Sequence, residues 1–364
     1  METFARSIVY CLLRLFFGNR TRAVPLSSDI IRKVLVFRYD RIGDMVLTTP
    51  IFDLMQANIP QAIIHVLASP ANAPILRCDN RISKVYIFRK NIGVLWHLRK
   101  QIKREQYDVV LCLVFNKTWD GLLAQWLCGS ETVRITVAHE SRIKFYEPLY
   151  DVQSPRASAK SIAELHTNVL AFAFGWDNKP SPLTLRICPA AKKRQYNFVQ
   201  NIANGRSVLL INCSAGSSDR SLSSELAVSI AKEIQLLYPD ISIMVIAAPN
   251  DNTLVKKIGA ELPSVHQVPI LNDIHDVCAL VQEVSWLITP DTSLAHFAVA
   301  AHTPLVGLYK ADSLKDKLFV PVGVRNEIVC ADEGEHVRDI ESEKVIAAFV
   351  RLCESSSELS MLAD

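Results

Sequence analysis

Two short stretches of this 364-residue chain gather polar side chains where an apolar run turns. The first reads Val34-Leu35-Val36-Phe37-Arg38-Tyr39-Asp40-Arg41-Ile42-Gly43-Asp44 and continues through Met45-Val46-Leu47-Thr48-Thr49-Pro50. A buried strand is predicted to end at Arg38, the chain to turn through Arg41-Ile42-Gly43, and a helix to start near Asp44. Gly43 suits a tight or positive-φ backbone position, and Asp44 suits the helix N-cap. The carboxylate then reads in two ways, as an ordinary cap or as a general base aimed into a cleft. Burial would raise its pKa, whereas Arg38 and Arg41 would lower it.

The second stretch is Trp286-Leu287-Ile288-Thr289-Pro290-Asp291-Thr292-Ser293-Leu294-Ala295-His296, followed by an Ala-rich run. Another buried strand leads into a hydroxyl-rich turn and then a helix. Its first amides, near Ser293 and Leu294, have no intrahelical partners, and small residues there would let a diphosphate approach them and the positive end of the dipole. His296 could add a donor. The same residues read equally well as a capped core helix with a satisfied histidine.

Absent motifs narrow the chemistry. No two of the twelve glycines lie two apart, so G-x-G-x-x-G is missing, as is G-K-[ST]. A nicotinamide dehydrogenase and a P-loop NTPase are thereby disfavoured. H-E-x-x-H and G-x-S-x-G are absent too, which removes the commonest zinc and serine hydrolases. No D-x-D occurs, so transfer chemistry without a metal is favoured.

The elements that must position these residues follow from periodicity. Strands are predicted at Val34–Arg38, Ile63–Ala68, Lys84–Phe88, Val109–Val114 and Val133–Val137, with helices near 44–58, 92–105 and 117–128. A second series has strands at Ser207–Cys213, Ser242–Ala247, Val265–Val268, Trp286–Thr289 and Leu305–Leu308. Helices near 222–237, 251–260, 273–282 and 292–301 separate them. Strands alternating with helices imply an α/β fold of two open parallel sheets facing across a cleft, with ligands at the strand C-terminal edges. Five prolines between 148 and 189 make 138–206 hard to read, and the domain junction is expected there. The organisation predicted is a leader at 1–30, an N-terminal domain at 31–180, a C-terminal domain at 181–340, and a helix and tail at 341–364.

Composition supports a globular pair of domains, with 49% hydrophobic and 21% charged residues. Forty Lys plus Arg against 37 Asp plus Glu give only +3, which excludes a nucleic-acid partner gripped along the whole surface. The whole surplus sits in residues 1–24, where Arg6, Arg14, Arg20 and Arg22 face Glu2. The apolar run Ser7–Phe17 is too short to cross a bilayer and is interrupted by Arg14. It reads either as a helix lying in an anionic membrane interface or as a helix packed on the body. Nine scattered cysteines, none in C-x-x-C, argue against a zinc ribbon or a disulfide framework and for a reducing cytoplasm. Nine basic residues between Arg77 and Arg104 form either a patch for an acidic acceptor or a solvated helix face.

Taken together, the R-x-D-x-I-G-D-x-x-L-T-T-P and P-D-T-S-x-x-H-x-A-x-A runs resemble the ADP-heptose:lipopolysaccharide heptosyltransferases, glycosyltransferase family 9, over roughly 33–330. The resemblance implies the two-domain GT-B fold and a metal-independent, inverting transfer of heptose from ADP-heptose to a lipopolysaccharide inner-core acceptor. No cofactor is expected beyond that donor. Asp44 would be the base. Gly43, Asp291, Thr292, Ser293, Leu294 and His296 would hold the donor, and Arg38 and Arg41 the acceptor. The family's phosphate-facing loop falls at Ser214–Arg220, where a Lys followed by Arg-Trp-Pro is common and this chain has Asp219-Arg220-Ser221-Leu222, leaving Arg220 as its cation. Asp251 would meet the nucleotide ribose, or serve only as a helix cap. Partners would be a nucleotide sugar, a lipid-linked saccharide and the cytoplasmic face of the inner membrane, where the enzyme would be peripheral. The alternatives are another nucleotide sugar, a different acceptor, or a non-catalytic nucleotide-binding protein at the membrane.

Overall fold

A computed structural model of the chain describes residues 12–114, 119–138, 146–156, 159–177, 182–314 and 317–361. It divides into two compact units, Met1–Arg186 and Ile187–Asp364.

The first unit begins with residues 12–17 in a helical turn. The predicted leader helix from Ser7 to Cys11 lies outside the described residues. Leu13 is buried in the same apolar cluster as Leu98, Ile102 and Leu127, and Phe17 packs against it. Leu12, Leu15 and Phe16 face solvent. Arg20 and Arg22 ion-pair with the buried carboxylate of Asp151 at 3.4 and 3.2 Å. Part of the leader's positive charge thus serves an internal anion rather than a surface.

Strands β1 (Lys33–Arg38), β2 (Ile63–Ala68), β3 (Lys84–Ile87), β4 (Val109–Cys112), β5 (Val133–Val137) and β6 (Val152–Ser154) form one sheet in the order β3-β2-β1-β4-β5-β6. Every pairing is parallel. The central strand β1 carries the unbroken apolar run Val34-Leu35-Val36-Phe37 because both of its faces are covered. Helices α1 (Ile42–Val46), α2 (Pro50–Asn58), α3 (Ile92–Glu105), α4 (Trp119–Cys128) and α5 (Ile162–Phe174) connect the strands. The single helix predicted at 44–58 is two. Pro50 has no N–H to continue a helix, and it starts α2 at a position where none is needed. Residues 117–118 of the predicted third helix lie outside the described residues.

In the second unit, α6 (Pro189–Ala203) precedes β7 (Ser207–Asn212), α7 (Ser224–Leu237), β8 (Ile241–Ile246), α8 (Asn252–Glu261), β9 (His266–Gln267) and α9 (Ile274–Glu283). Then come β10 (Trp286–Pro290), α10 (Ser293–Ala301), β11 (Leu305–Tyr309), β12 (Asn326–Cys330) and α11 (Ser342–Met361). The sheet order is β12-β11-β10-β7-β8-β9, again with parallel pairings. Helix α11 buries Val345, Phe349 and Leu352 in the core that also holds Ile230 and Ile288. In both sheets the strand at which the chain order reverses, β1 or β10, ends at one of the two polar stretches. Such reversals are where open α/β sheets bind ligands.

Candidate functional site

The first unit's polar stretch is organised by Arg38. This side chain at the end of β1 is wholly buried. Its Nη2 meets Asp44 Oδ1 at 3.2 Å, its Nη1 meets Asp40 Oδ2 at 3.2 Å, and its Nε donates to the Asp44 carbonyl at 3.0 Å. It also donates to the carbonyl of Leu113 beyond β4. Arg38 is therefore not available to an acceptor, contrary to expectation: its guanidinium is spent on fixing the turn and the carboxylate. Arg41 is exposed.

Asp44 is not the N-cap. Arg41 takes that position, and Asp44 sits three residues later, where its Oδ2 accepts the Arg41 amide at 3.3 Å as in a capping box. Gly43 lies inside the first turn of α1 and is not among the positive-φ glycines, so no left-handed backbone requires it. The turn is braced from β2's end by buried Asn72, which donates to the carbonyls of Arg38, Asp40 and Arg41 at 3.0, 3.4 and 3.3 Å. Beneath it, Thr48 Oγ1 donates to the Asp44 carbonyl at 2.8 Å and lies 3.4 Å from His166 Nδ1. Burial, and secondarily the charge of Arg38, hold the His166 pKa well below the ordinary imidazole value. The side chain of Asp44 stays 14% exposed. A carboxylate has about four lone-pair positions, so with these two donors it can still accept a proton from an incoming hydroxyl.

The basic stretch from Arg77 to Arg104 is committed only in part, with Arg77, Arg89 and Lys90 exposed. Arg81 is buried between Asp79 and Asp53, Lys84 pairs with Glu105, and Arg99 stacks over Trp96 and Trp126. Lys100, Lys103 and Arg104 are exposed on α3.

In the second unit, Thr292 is the N-cap of α10 and its Oγ1 accepts the Leu294 amide at 3.2 Å. The Leu294 amide is thus engaged by its own cap, where the sequence suggested a group open to ligand. Asn212, at the end of β7, donates to Thr289 Oγ1 at 3.0 Å and to Thr292 Oγ1 at 3.4 Å, and so ties the loop after β7 to this turn. Asp291 and Ser293 are partly exposed, and His296 is buried in the first turn of α10. Arg220 reaches across from the 214–220 loop, donating from Nη1 to Asp291 Oδ2 at 3.2 Å and from Nε to Ser217 Oγ at 3.1 Å. Asp251 is the N-cap residue of α8, but its side chain makes no cap bond. One cation near this turn was not anticipated. Lys310, just past β11, donates to Asp219 Oδ2 at 2.8 Å. Its position at the C-terminal end of a parallel strand next to β10 was the available signal.

The first unit therefore holds a carboxylate fixed by a buried guanidinium, suited to proton abstraction. The second holds a small-residue helix terminus with nearby cations, suited to phosphate. Comparison with known proteins bears on both. The family model for glycosyltransferase family 9 (heptosyltransferase) matches residues 95–347. Lipopolysaccharide heptosyltransferase 3 of Escherichia coli is 22% identical over 281 residues, covering 74% of this chain and 81% of that protein. The solved structure of a family 9 glycosyl transferase from Veillonella parvula DSM 2008 matches with a TM-score of 0.73 at 16% identity, over 91% of this chain and 98% of its own. That of E. coli ADP-heptose lps heptosyltransferase II matches with a TM-score of 0.69 at 20% identity, over 89% and 99%.

Proposed function

Because the chain belongs to glycosyltransferase family 9 and has the two parallel sheets of the GT-B fold, we propose that it moves heptose from ADP-heptose to a lipopolysaccharide inner-core acceptor. The observation that carries this reading is Asp44, a partly exposed carboxylate locked by buried Arg38 at the end of the central strand. Asp44 takes the proton of the acceptor hydroxyl. The oxygen forms a bond to the anomeric carbon as the bond from that carbon to the diphosphate breaks, and the electron pair leaves with ADP. Attack opposite the leaving group inverts the centre. Charge developing on the diphosphate meets Arg220, which Asp291 holds in place, and the start of α10 at Thr292, Ser293 and His296, while Leu294 packs the helix end. Gly43 allows close approach of the donor sugar, Arg41 meets the acceptor, and Asp251 takes the ribose hydroxyls.

The ADP-heptose donor is supported by the likeness to E. coli ADP-heptose lps heptosyltransferase II, and the lipopolysaccharide acceptor by the likeness to lipopolysaccharide heptosyltransferase 3. The reaction uses no metal ion and no further cofactor. Exposed Leu12, Leu15 and Phe16 support a peripheral position on the cytoplasmic face of the inner membrane, where a lipid-linked acceptor lies. The test is transfer by the purified chain from ADP-heptose to heptose-deficient core lipid in EDTA. Product is expected. Transfer only from a nucleotide sugar with another base would overturn the donor assignment, and nucleotide binding without transfer to any acceptor would overturn the enzymatic reading.

A further inference from the structure

We propose that Lys310 is a ligand of the donor diphosphate, acting as a second cation beside Arg220, and that it trades its carboxylate partner Asp219 for phosphate oxygens when the donor binds. The proposal rests on reading the 291–296 turn as the diphosphate site.

The placement follows from strand register. β10 and β11 are parallel neighbours with Pro290 opposite Leu308, and the Asp291 amide donates to the Leu308 carbonyl at 3.0 Å. Two residues beyond these positions are Thr292, the cap of α10, and Lys310. Both therefore leave the same edge of the sheet side by side. Lys310 Nζ lies 2.8 Å from Asp219 Oδ2, and the next residue in that loop, Arg220, lies 3.2 Å from Asp291 Oδ2. Two cations and two carboxylates from three separate segments thus converge at the start of α10.

Both pairs are open to exchange. The side chains of Lys310, Arg220, Asp219 and Asp291 are 22, 22, 35 and 25% exposed, so neither ion pair is sealed in the core. Pairs of this kind contribute little stability. A diphosphate brings more charge than one carboxylate and competes well for both cations. Arg220 supplies a planar fork, and Lys310 a point charge that can sit between oxygens of two phosphates.

An independent observation marks the same edge. The hydroxyl of Tyr309, the residue before Lys310, is buried and has no hydrogen-bond partner among the described residues. Burial and then the charge of Asp291 push its pKa up, so this hydroxyl lies within the field of the same carboxylate. A buried hydroxyl without a partner is rare in proteins and suits a ligand oxygen.

The experiment is isothermal titration of the full chain with ADP, AMP and inorganic pyrophosphate, for wild type, Lys310→Ala, Lys310→Arg and Asp219→Ala. Lys310→Ala should weaken ADP binding about 10- to 100-fold, the loss of one charge-assisted contact, and narrow the preference for ADP over AMP. Lys310→Arg should recover most of the affinity. Asp219→Ala releases Lys310 from its partner and should leave ADP binding unchanged or tighter. The inference is overturned if Lys310→Ala binds ADP within twofold of wild type. It is also overturned if Asp219→Ala weakens ADP as much as Lys310→Ala does, since Lys310 would then only anchor the loop. If a different nucleoside diphosphate binds in place of ADP and loses affinity in Lys310→Ala, the Lys310 assignment stands and the donor assignment falls. If no diphosphate binds, pyrophosphate included, both fall.

Discussion

Replacing Arg38 by Met keeps the buried stem of the side chain and removes its charge. Two carboxylates, Asp40 and Asp44, lose the guanidinium that compensates them, and the carbonyls of Asp44 and Leu113 lose a donor. Breaking a buried ion pair costs about 3–5 kcal/mol. Here the two carboxylate side chains are 17 and 14% exposed and can regain some hydration, which places the expected loss near the lower end, about 3 kcal/mol. The catalytic effect comes from a different source. Arg38 holds Asp44 at two points, its Oδ1 and its backbone carbonyl, so its removal lets the carboxylate drift. A displacement of about 1 Å can cost roughly a hundredfold in rate. Urea unfolding followed by tryptophan fluorescence reads the stability change, and steady-state transfer kinetics separate kcat from KM. The prediction is a fall in kcat of about a hundredfold with donor KM nearly unchanged. Unchanged kcat would refute the positioning role. A loss confined to acceptor KM would restore Arg38 to acceptor binding.

Three further outcomes follow from individual contacts. Thr292→Val removes the cap of α10 and the hydroxyl shared with Thr289 and Asn212, and should cost about 1 kcal/mol of stability and weaken ADP binding, read by thermal melts with and without ADP. His166 is held neutral by burial and by Arg38, so its imidazole protons should not shift in an NMR titration from neutral pH to about pH 5.5. Its pKa is lowered on folding, so its contribution to stability is complete above the unfolded value of about 6.5 and declines as pH falls below it, by at most about 1.4 kcal/mol per pH unit. A normal titration would show that His166 is not enclosed as described. Leu15→Glu combined with Phe16→Glu alters two exposed side chains and should abolish co-sedimentation with anionic vesicles without lowering the melting temperature, whereas unchanged sedimentation would rule out this membrane contact.

The strands were legible because parallel strands covered on both faces are rich in apolar and β-branched residues, continuously so in Val34–Phe37 and Val109–Cys112, and the bounds at Ile63–Ala68 and Val133–Val137 match prediction to the residue. Edge strands carry no such signature. Val152–Ser154 and Asn326–Cys330 are short or polar and were missed, as was helix Ile162–Phe174 within the proline-broken stretch. In the first polar stretch, the types and spacing of Arg38, Gly43 and Asp44 identified the turn but not its wiring. Whether Arg38 faces solvent or is buried under Asp44 depends on Leu113 and Asn72, which are distant in sequence. Lys310 was legible only as a cation just past a predicted strand. Its meaning comes from the pairing of β11 with β10 and from Asp219 in a third segment, and no local pattern encodes either.

The central claim is that Asp44 is the base, and Asp44→Asn tests it most directly because the amide keeps an oxygen for Arg38 while losing basicity. Transfer from ADP-heptose to heptose-deficient core lipid should fall by about 10²- to 10⁴-fold, the usual worth of general base catalysis, with ADP affinity close to wild type and a smaller stability loss than in Arg38→Met, because Arg38 keeps Asp40. Turnover within a few fold of wild type would contradict the account.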